Sequence, residues 1–264
     1  MPGHGAVRFD AKVALVTGST QGLGEATVTL MARCGLAGAV VTGRDRDRGE
    51  AVAGTLAGLG CEAVFVAADL ADPAAPQALV GAAAEAFGHL DVLVNSAAIT
   101  DRDTIWDSTP EVFDRLFAVN TRAPFFLMQG AARLMVEKGI AGTMVNVVSI
   151  SGHGGQPFIT SYCGSKGALA VLTRNVANAL LRHRIRVNAV APGWMATPAE
   201  DAVQRRHHGA GDGWQERAGA ELPFGRILDP TEVGRVIAFL ASEESGMTTG
   251  VVLDVDQKVI GAWD

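Results

Sequence analysis

The chain has a single tyrosine, and aromatic residues make up only 6% of its 264 positions. Cysteine is almost as scarce: Cys34, Cys61 and Cys163 are scattered, with no CxxC pair. This excludes a disulfide-stapled secreted domain and a cysteine-built metal site, and it fits a reducing, cytoplasmic location. Basic residues are outnumbered, 22 Lys and Arg against 28 Asp and Glu, for a formal net charge of −6. A nucleic-acid binder needs a basic face. The cluster Arg205-Arg206-His207-His208 is short and reads as a solvated loop. Adjacent histidines rarely converge on one ion, so neither nucleic acid nor a metal is expected. No apolar run reaches the roughly 20 residues a bilayer demands, and "MPGHGAVRFDAK" has no apolar signal core; no membrane partner is expected. Linkers, charge blocks and internal repeats are also missing. A single domain over residues 1–264 follows, and 48% hydrophobic residues allow a sizeable core.

What is present is alternation. Short Val-rich apolar runs recur between helix-forming stretches. "KVALVTGS" reads as a strand closed by a Gly-rich turn, and "GEATVTLMARCG" as the helix after it. "AGAVVTGR" and "EAVFVAADL" read as strands separated by the helix "RDRGEAVAGTLAGLG". A helix from Pro76 to Phe87 leads to the strand "LDVLVNSAA", and one from Glu111 to Lys138 leads to "GTMVNVVSIS". The helix holding Tyr162 precedes "IRVNAVAPG", and a helix from Thr231 to Ala241 precedes "GVVLDVD". Buried apolar strands alternating with helices imply an α/β fold, a doubly wound Rossmann-type parallel sheet with helices on both faces. In such sheets ligands bind beyond the carboxyl ends of the strands.

The residues that end each strand therefore carry the functional signal. "TGSTQGLGEA" supplies Gly18, Gly22 and Gly24 between a strand and a helix. Glycines there let the backbone approach a pyrophosphate, which meets the free N–H groups of the helix start. Asp69-Leu70 ends the third strand, where a carboxylate can accept from an adenine amine or cap the next helix. "NSAA", Asn95 to Ala98, offers small residues for close approach to a nucleotide, or a plain turn. Asn120 stands alone among apolar residues on its helix. Ser149 ends another strand. Tyr162 and Lys166 lie four apart, on one helical face. If both segments face one cleft, a hydroxyl, a phenol and an ammonium meet there.

The ordered set "TGSTQGLG", "NSAA", Asn120, Ser149, "YCGSK" and "PGWMAT" resembles the short-chain dehydrogenase/reductase family over roughly Asp10 to Asp256. The resemblance implies an NAD(P)-dependent oxidoreductase that interconverts a secondary alcohol and a ketone. It implies that Ser149, Tyr162 and Lys166 are catalytic and that Asn120 completes a tetrad. Tyr162 would be the general acid/base, and nearby Lys166 would favour its phenolate and lower its pKa. Ser149 would orient the reacting oxygen, and Asn120 would hold a water linking Lys166 to solvent. Cofactor contacts are implied for Gly18, Ser19, Gln21, Gly22, Leu23, Gly24, Asp69, Leu70, Asn95 and Ala97. Tyr162, Lys166, Pro192, Gly193, Met195 and Thr197 complete them. Two readings compete with turnover: a nucleotide-sensing binding protein, and an epimerase or dehydratase that retains its cofactor.

The chain departs from the family pattern in three places. "NSAA" replaces the usual Asn-Asn-Ala-Gly, with the turn expected to survive. "DVDQK" replaces the usual Asp-Gly-Gly after the last strand, and a tail from Gln257 to Asp264 follows. Gly43 and Arg44 stand where NAD-preferring relatives place an acid. A guanidinium there binds a phosphate, so NADP is favoured over NAD, although Gln21 occupies a position where NADP users often carry Lys or Arg. Residues 198–225 are expected to form a mobile lid over a small-molecule substrate. Trp194, Trp214, Phe224, His153 and Gln156 are expected to line its pocket, a mixture suited to a polyol, sugar or small hydroxy compound. "RAPFFLMQGAARLMV" and "ALAVLTRNVANALL" are apolar enough to pack against a neighbouring subunit in a homotetramer or homodimer.

Overall fold

The computed structural model describes residues 7–261; Trp263 and Asp264, and the first six residues, lie outside the described residues. Seven parallel strands form one sheet in the order β3-β2-β1-β4-β5-β6-β7. They are β1 (Val13–Thr17), β2 (Gly38–Gly43), β3 (Glu62–Ala67), β4 (Val92–Asn95), β5 (Thr143–Val147), β6 (Arg186–Pro192) and β7 (Val252–Val255). Three helices alternate with the first strands: α1 (Gly22–Arg33), α2 (Arg46–Gly58) and α3 (Ala75–Phe87). After β4 come α4 (Pro110–Phe117) and α5 (Ala123–Glu137), then α6 (Thr160–Leu180) after β5. After β6 come α7 (Pro198–His208), α8 (Trp214–Ala220) and α9 (Pro230–Ala241).

Strand periodicity splits the core into two layers. Val13, Leu15, Leu93, Met144 and Val187 face one way, packed with Leu79, Leu127 and Leu169 of α3, α5 and α6. Ala14, Val16, Val94, Val145 and Val190 face the other way, packed with Val28, Val52 and Ile237 of α1, α2 and α9. The inner strands are buried on both faces, as expected. Edge strands β3 and β7 are not, and their residues are half-buried or exposed. Among the described residues no helix is long and apolar enough to cross a membrane.

Two segments differ from the sequence reading. The helix expected from Glu111 to Lys138 is broken at Ala118–Arg122 by a wider π-type turn. Pro124 just beyond lacks an N–H, and the Asn120 side chain is drawn out of the helix surface to Ile99. Residues 198–225, expected as a mobile stretch, contain two capped helices. Thr197 caps α7 by accepting from Glu200 N at 3.1 Å, and Trp214 pins α8 to α7 by donating to Asp201 at 2.7 Å.

Strand order reverses between β1 and β4, opening a crevice above their carboxyl ends. Thr17 joins the two strands there: its Oγ1 accepts from Ser96 N and Ala97 N, both at 3.1 Å.

Candidate active site

A cleft of about 730 Å³ runs along the carboxyl ends of the strands. One end is built from glycine. Gly18 has φ +65°, and a Cβ on it would sit 2.8 Å from the Ala97 Cα. A Cβ on Gly24 would run into the Gly18 carbonyl oxygen. Only glycine lets the β1–α1 turn close this tightly against the "NSAA" turn. Beyond it, α1 begins at Gln21 with no side-chain cap. Its first amides and its positive dipole end are thus left to an anionic group. These features fit the pyrophosphate of a dinucleotide.

At the far side of this end, Arg44 is exposed beside Thr42 and Gly43. Arg48 also lines the cleft; its guanidinium donates to the Gln21 side chain and pairs with Asp45 at 2.9 Å. The Gln21 position, which argued against a phosphate, is therefore occupied by a cation from α2. Asp69 lines the same end, and its Oδ1 accepts from Ala71 N at 3.0 Å. The carboxylate caps its own turn while its other oxygen faces no listed protein donor among the described residues.

The opposite end brings Ser149, Tyr162 and Lys166 together. Ser149 begins a short turn, Ile150–His153, its Oγ accepting from Ser151 N at 3.1 Å. Lys166 is 1% exposed, and its Nζ donates to Val147 O at 2.7 Å and lies 5.9 Å from the Tyr162 ring centre. Burial pushes the ammonium down to about 7. Burial also pushes the Tyr162 phenol up to about 12, against the opposing pull of the Ser149 hydroxyl. The expectation that Lys166 lowers the phenol is thus reversed in this state. Desolvation disfavours both charged forms and outweighs their mutual attraction.

Most expected contacts line the cleft: Gly18, Gln21, Gly22, Leu23, Gly24, Arg44, Asp69, Leu70 and Ala97 at one end, with Pro192, Gly193, Met195 and Thr197 along it. Gln156 and Trp194 line the catalytic end. Six residues stand elsewhere. Ser19 is buried beneath the turn, donating to Val16 O at 2.6 Å and accepting from Thr42 N at 3.0 Å. Asn95 turns into the core and donates to Asn146 at 2.8 Å. Asn120 is fully buried; its amide exchanges hydrogen bonds with Ile99 at 3.0 and 2.9 Å and donates to Ser165 at 3.1 Å. It anchors α6 rather than facing the cleft with its side chain. His153 points away to Asp254 on β7, at 2.9 Å. Trp214 lies buried behind Trp194, ring centres 5.7 Å apart. Phe224 is exposed.

Several lining residues escaped the sequence reading. Glu200, Gln204 and His208 recur every four residues on α7 and share one face toward the cleft; treating that segment as a loop concealed the spacing. The basic cluster is the end of the same helix, and His208 accepts from Arg102 at 3.1 Å. The departure at "DVDQK" also has a use. Gln257 accepts from Phe224 N at 2.7 Å and donates to Arg226 O at 2.9 Å, tying the segment after α8 to β7.

A glycine cradle at a switch point, facing a hydroxyl, a phenol and a buried lysine, defines a dinucleotide-dependent oxidoreductase. Comparisons agree. A family model described as Enoyl-(Acyl carrier protein) reductase matches residues 18–257. Sorbitol dehydrogenase of Cereibacter sphaeroides is 35% identical over 254 residues, covering 95% of this chain and 98% of the relative. A short-chain type dehydrogenase/reductase from Mycobacterium marinum is 30% identical with a TM-score of 0.86, covering 95% of this chain and 96% of that one. L-Sorbose reductase from Gluconobacter frateurii, complexed with NADPH and L-sorbose, is 27% identical with a TM-score of 0.89, covering 97% of this chain and 99% of that one. The chain belongs to the short-chain dehydrogenase/reductase family and is an NAD(P)-dependent oxidoreductase.

Proposed function

We propose that the protein interconverts a secondary alcohol of a polyol or sugar with the matching ketone, using NADP. The observation that carries this reading is the meeting of Ser149, Tyr162 and Lys166 at one end of a cleft whose other end is a glycine cradle. Similarity to a sorbitol dehydrogenase and an L-sorbose reductase supports the substrate class. The dinucleotide, when bound, supplies or accepts the hydride.

The chain's own residues handle the proton. Tyr162 donates to the carbonyl oxygen in reduction and accepts from the alcohol in oxidation. With its pKa pushed up to about 12, the phenol is held protonated at neutral pH, the state that donates. Ser149 hydrogen-bonds the reacting oxygen and fixes its direction. Lys166 spends one donor on Val147 O and keeps its others for the nicotinamide ribose and for the proton path. Asn120 serves as a positioning residue, holding Ile99 and α6 in register. Residues 198–225 cover the substrate, with Trp194 and Gln156 against it. Arg44 and Arg48 hold the 2′-phosphate of NADP. Exposed apolar faces on α5 and α6 support a homotetramer or homodimer.

Turnover measured by nicotinamide absorbance across polyols, sugars, simple alcohols and ketones tests this reading. Tyr162→Phe is expected to lose most turnover and keep cofactor affinity; near-normal turnover in that variant rejects the role. NADPH is expected to bind more tightly than NADH. The double change Arg44→Ala, Arg48→Ala should weaken NADPH about tenfold or more while leaving NADH nearly unaffected. Equal loss for both cofactors would rule out phosphate recognition by these arginines.

A further inference from the structure

Glu200 is the half-buried carboxylate nearest the chemistry on α7, and the proposed proton transfer does not use it. Its backbone is fixed by the Thr197 cap. Its Oε1 accepts twice, from Trp194 Nε1 at 2.9 Å and from Gln204 Nε2 at 2.7 Å. Those bonds orient the carboxylate and leave Oε2 without a hydrogen-bond partner among the described residues. The group lines the same cleft as Ser149 and Tyr162, with Gln156 also in the wall. Its charge reaches the Tyr162 phenol and helps hold the proton on it. The neighbouring cation does not offset this. Arg102 directs two donors at His208 Nε2, at 3.1 and 2.9 Å, and lies over the Phe158 ring at 5.6 Å.

A carboxylate held beside the reacting centre has two consequences for a ligand. A hydroxyl on a neutral substrate can donate to the open oxygen, a charge-assisted hydrogen bond in a partly desolvated site. A substrate carboxylate placed there meets like charge. We propose that Glu200 is a specificity-determining residue: its free oxygen accepts a hydroxyl hydrogen from the carbon next to the reacting one, selecting neutral vicinal polyols over simple alcohols and excluding α-hydroxy acids. This rests on the alcohol–ketone reading of the cleft and narrows it.

The test compares wild type and Glu200→Gln on three substrates: a pentitol, a simple secondary alcohol of similar length, and the matching α-hydroxy acid. In wild type the pentitol leads and the hydroxy acid trails. In Glu200→Gln the pentitol-to-simple-alcohol ratio of kcat/KM falls about tenfold or more, as expected for losing one hydrogen bond to a charged group. The hydroxy acid improves relative to both. A purely structural role for the Trp194–Glu200–Gln204 contacts would lower all three together, and that result overturns the proposal. So does an unchanged ratio. In the oxidative direction, the pH at which activity rises with phenol ionisation moves down in the variant; an unmoved profile also counts against it. Wild type active on simple alcohols but not on the pentitol would reject the polyol reading and this proposal together. Wild type active on the pentitol with an unaltered ratio in the variant rejects this proposal alone.

Discussion

Lys166 and Tyr162 stand one helical turn apart, and burial moves their proton affinities in opposite directions, to about 7 and about 12. For Lys166 the folded value lies below the ordinary 10.5 of the unfolded chain. Between these values the unfolded chain holds a proton that the folded chain has released. Stability therefore rises with pH through that window, by up to about 1.4 kcal/mol per unit for one proton. As pH falls through about 7, that contribution is gone. Tyr162 has the opposite slope: its folded value exceeds the ordinary 10, so stability is lost from about 10 to about 12. Comparing wild type with Lys166→Met cancels most other titrations. The stability difference in favour of wild type should grow from about pH 7 toward 10, read from denaturation midpoints at several pH values. Parallel curves across that window would show that Lys166 is not buried as a neutral amine. The same desolvation that costs stability near neutrality keeps an uncharged amine or a poised ammonium at the reacting end, so the site trades stability for reactivity.

At the scale of an element, α6 owes its position to a residue far away in sequence. Its N-terminal neighbour Ile159 has no side-chain acceptor to cap the helix. Asp103, buried in the loop after β4, does so instead. It accepts from Ser161 N at 3.1 and 3.2 Å and from Ser108 Oγ at 2.8 Å, and it also bonds the Ser161 hydroxyl. Tyr162 is the next residue. Asp103→Ala should cost about 2 kcal/mol and lower kcat more than it raises KM, because Tyr162 shifts. Asp103→Asn, which keeps one acceptor, should recover part of both. An Asp103→Ala protein with wild-type stability and kcat would remove Asp103 from the positioning of α6. This cap also shows where the sequence stops being legible. Strand and helix order followed from periodicity, and Tyr162 with Lys166 followed from a spacing of four. No spacing rule links Asp103 to Ser161 or Arg48 to Gln21, since those contacts exist only after the chain returns on itself. His153 and Trp214 misled for a related reason. Residue type suggested a pocket, and only packing reveals that one turns to Asp254 and the other lies behind Trp194. The turn at Ala118–Arg122 was masked by continuous helix-forming residues, with Pro124 the one local sign of the break.

At the scale of the molecule, apolar surface is left over on two sides. Phe126 and Val136 on α5 and Val171 on α6 are 45%, 43% and 54% exposed, and these two helices lie side by side. On the far edge, β7 has one unpaired side, and Leu253 is exposed there with Met247, Val259 and Ile260 nearby in sequence. Large apolar patches and open strand edges both mark surfaces that associate. The two lie on different sides of the sheet, as a tetramer built from two kinds of contact requires. The helical face matters more for chemistry, because α6 carries Tyr162 and Lys166 on its inner side. Covering its outer side removes apolar area from water and restrains the helix that holds the reacting groups. Phe126→Glu combined with Val171→Glu places unpaired charge in that contact and should reduce the solution mass by a factor of two or more, measured by sedimentation. The variant's turnover per chain should fall with dilution at concentrations where wild type holds steady, because folding of α6 and assembly are then linked by mass action. A wild-type protein that sediments as a monomer would leave the apolar helical face without an assembly role. A variant that dissociates yet keeps full turnover on dilution would separate assembly from the geometry of Tyr162.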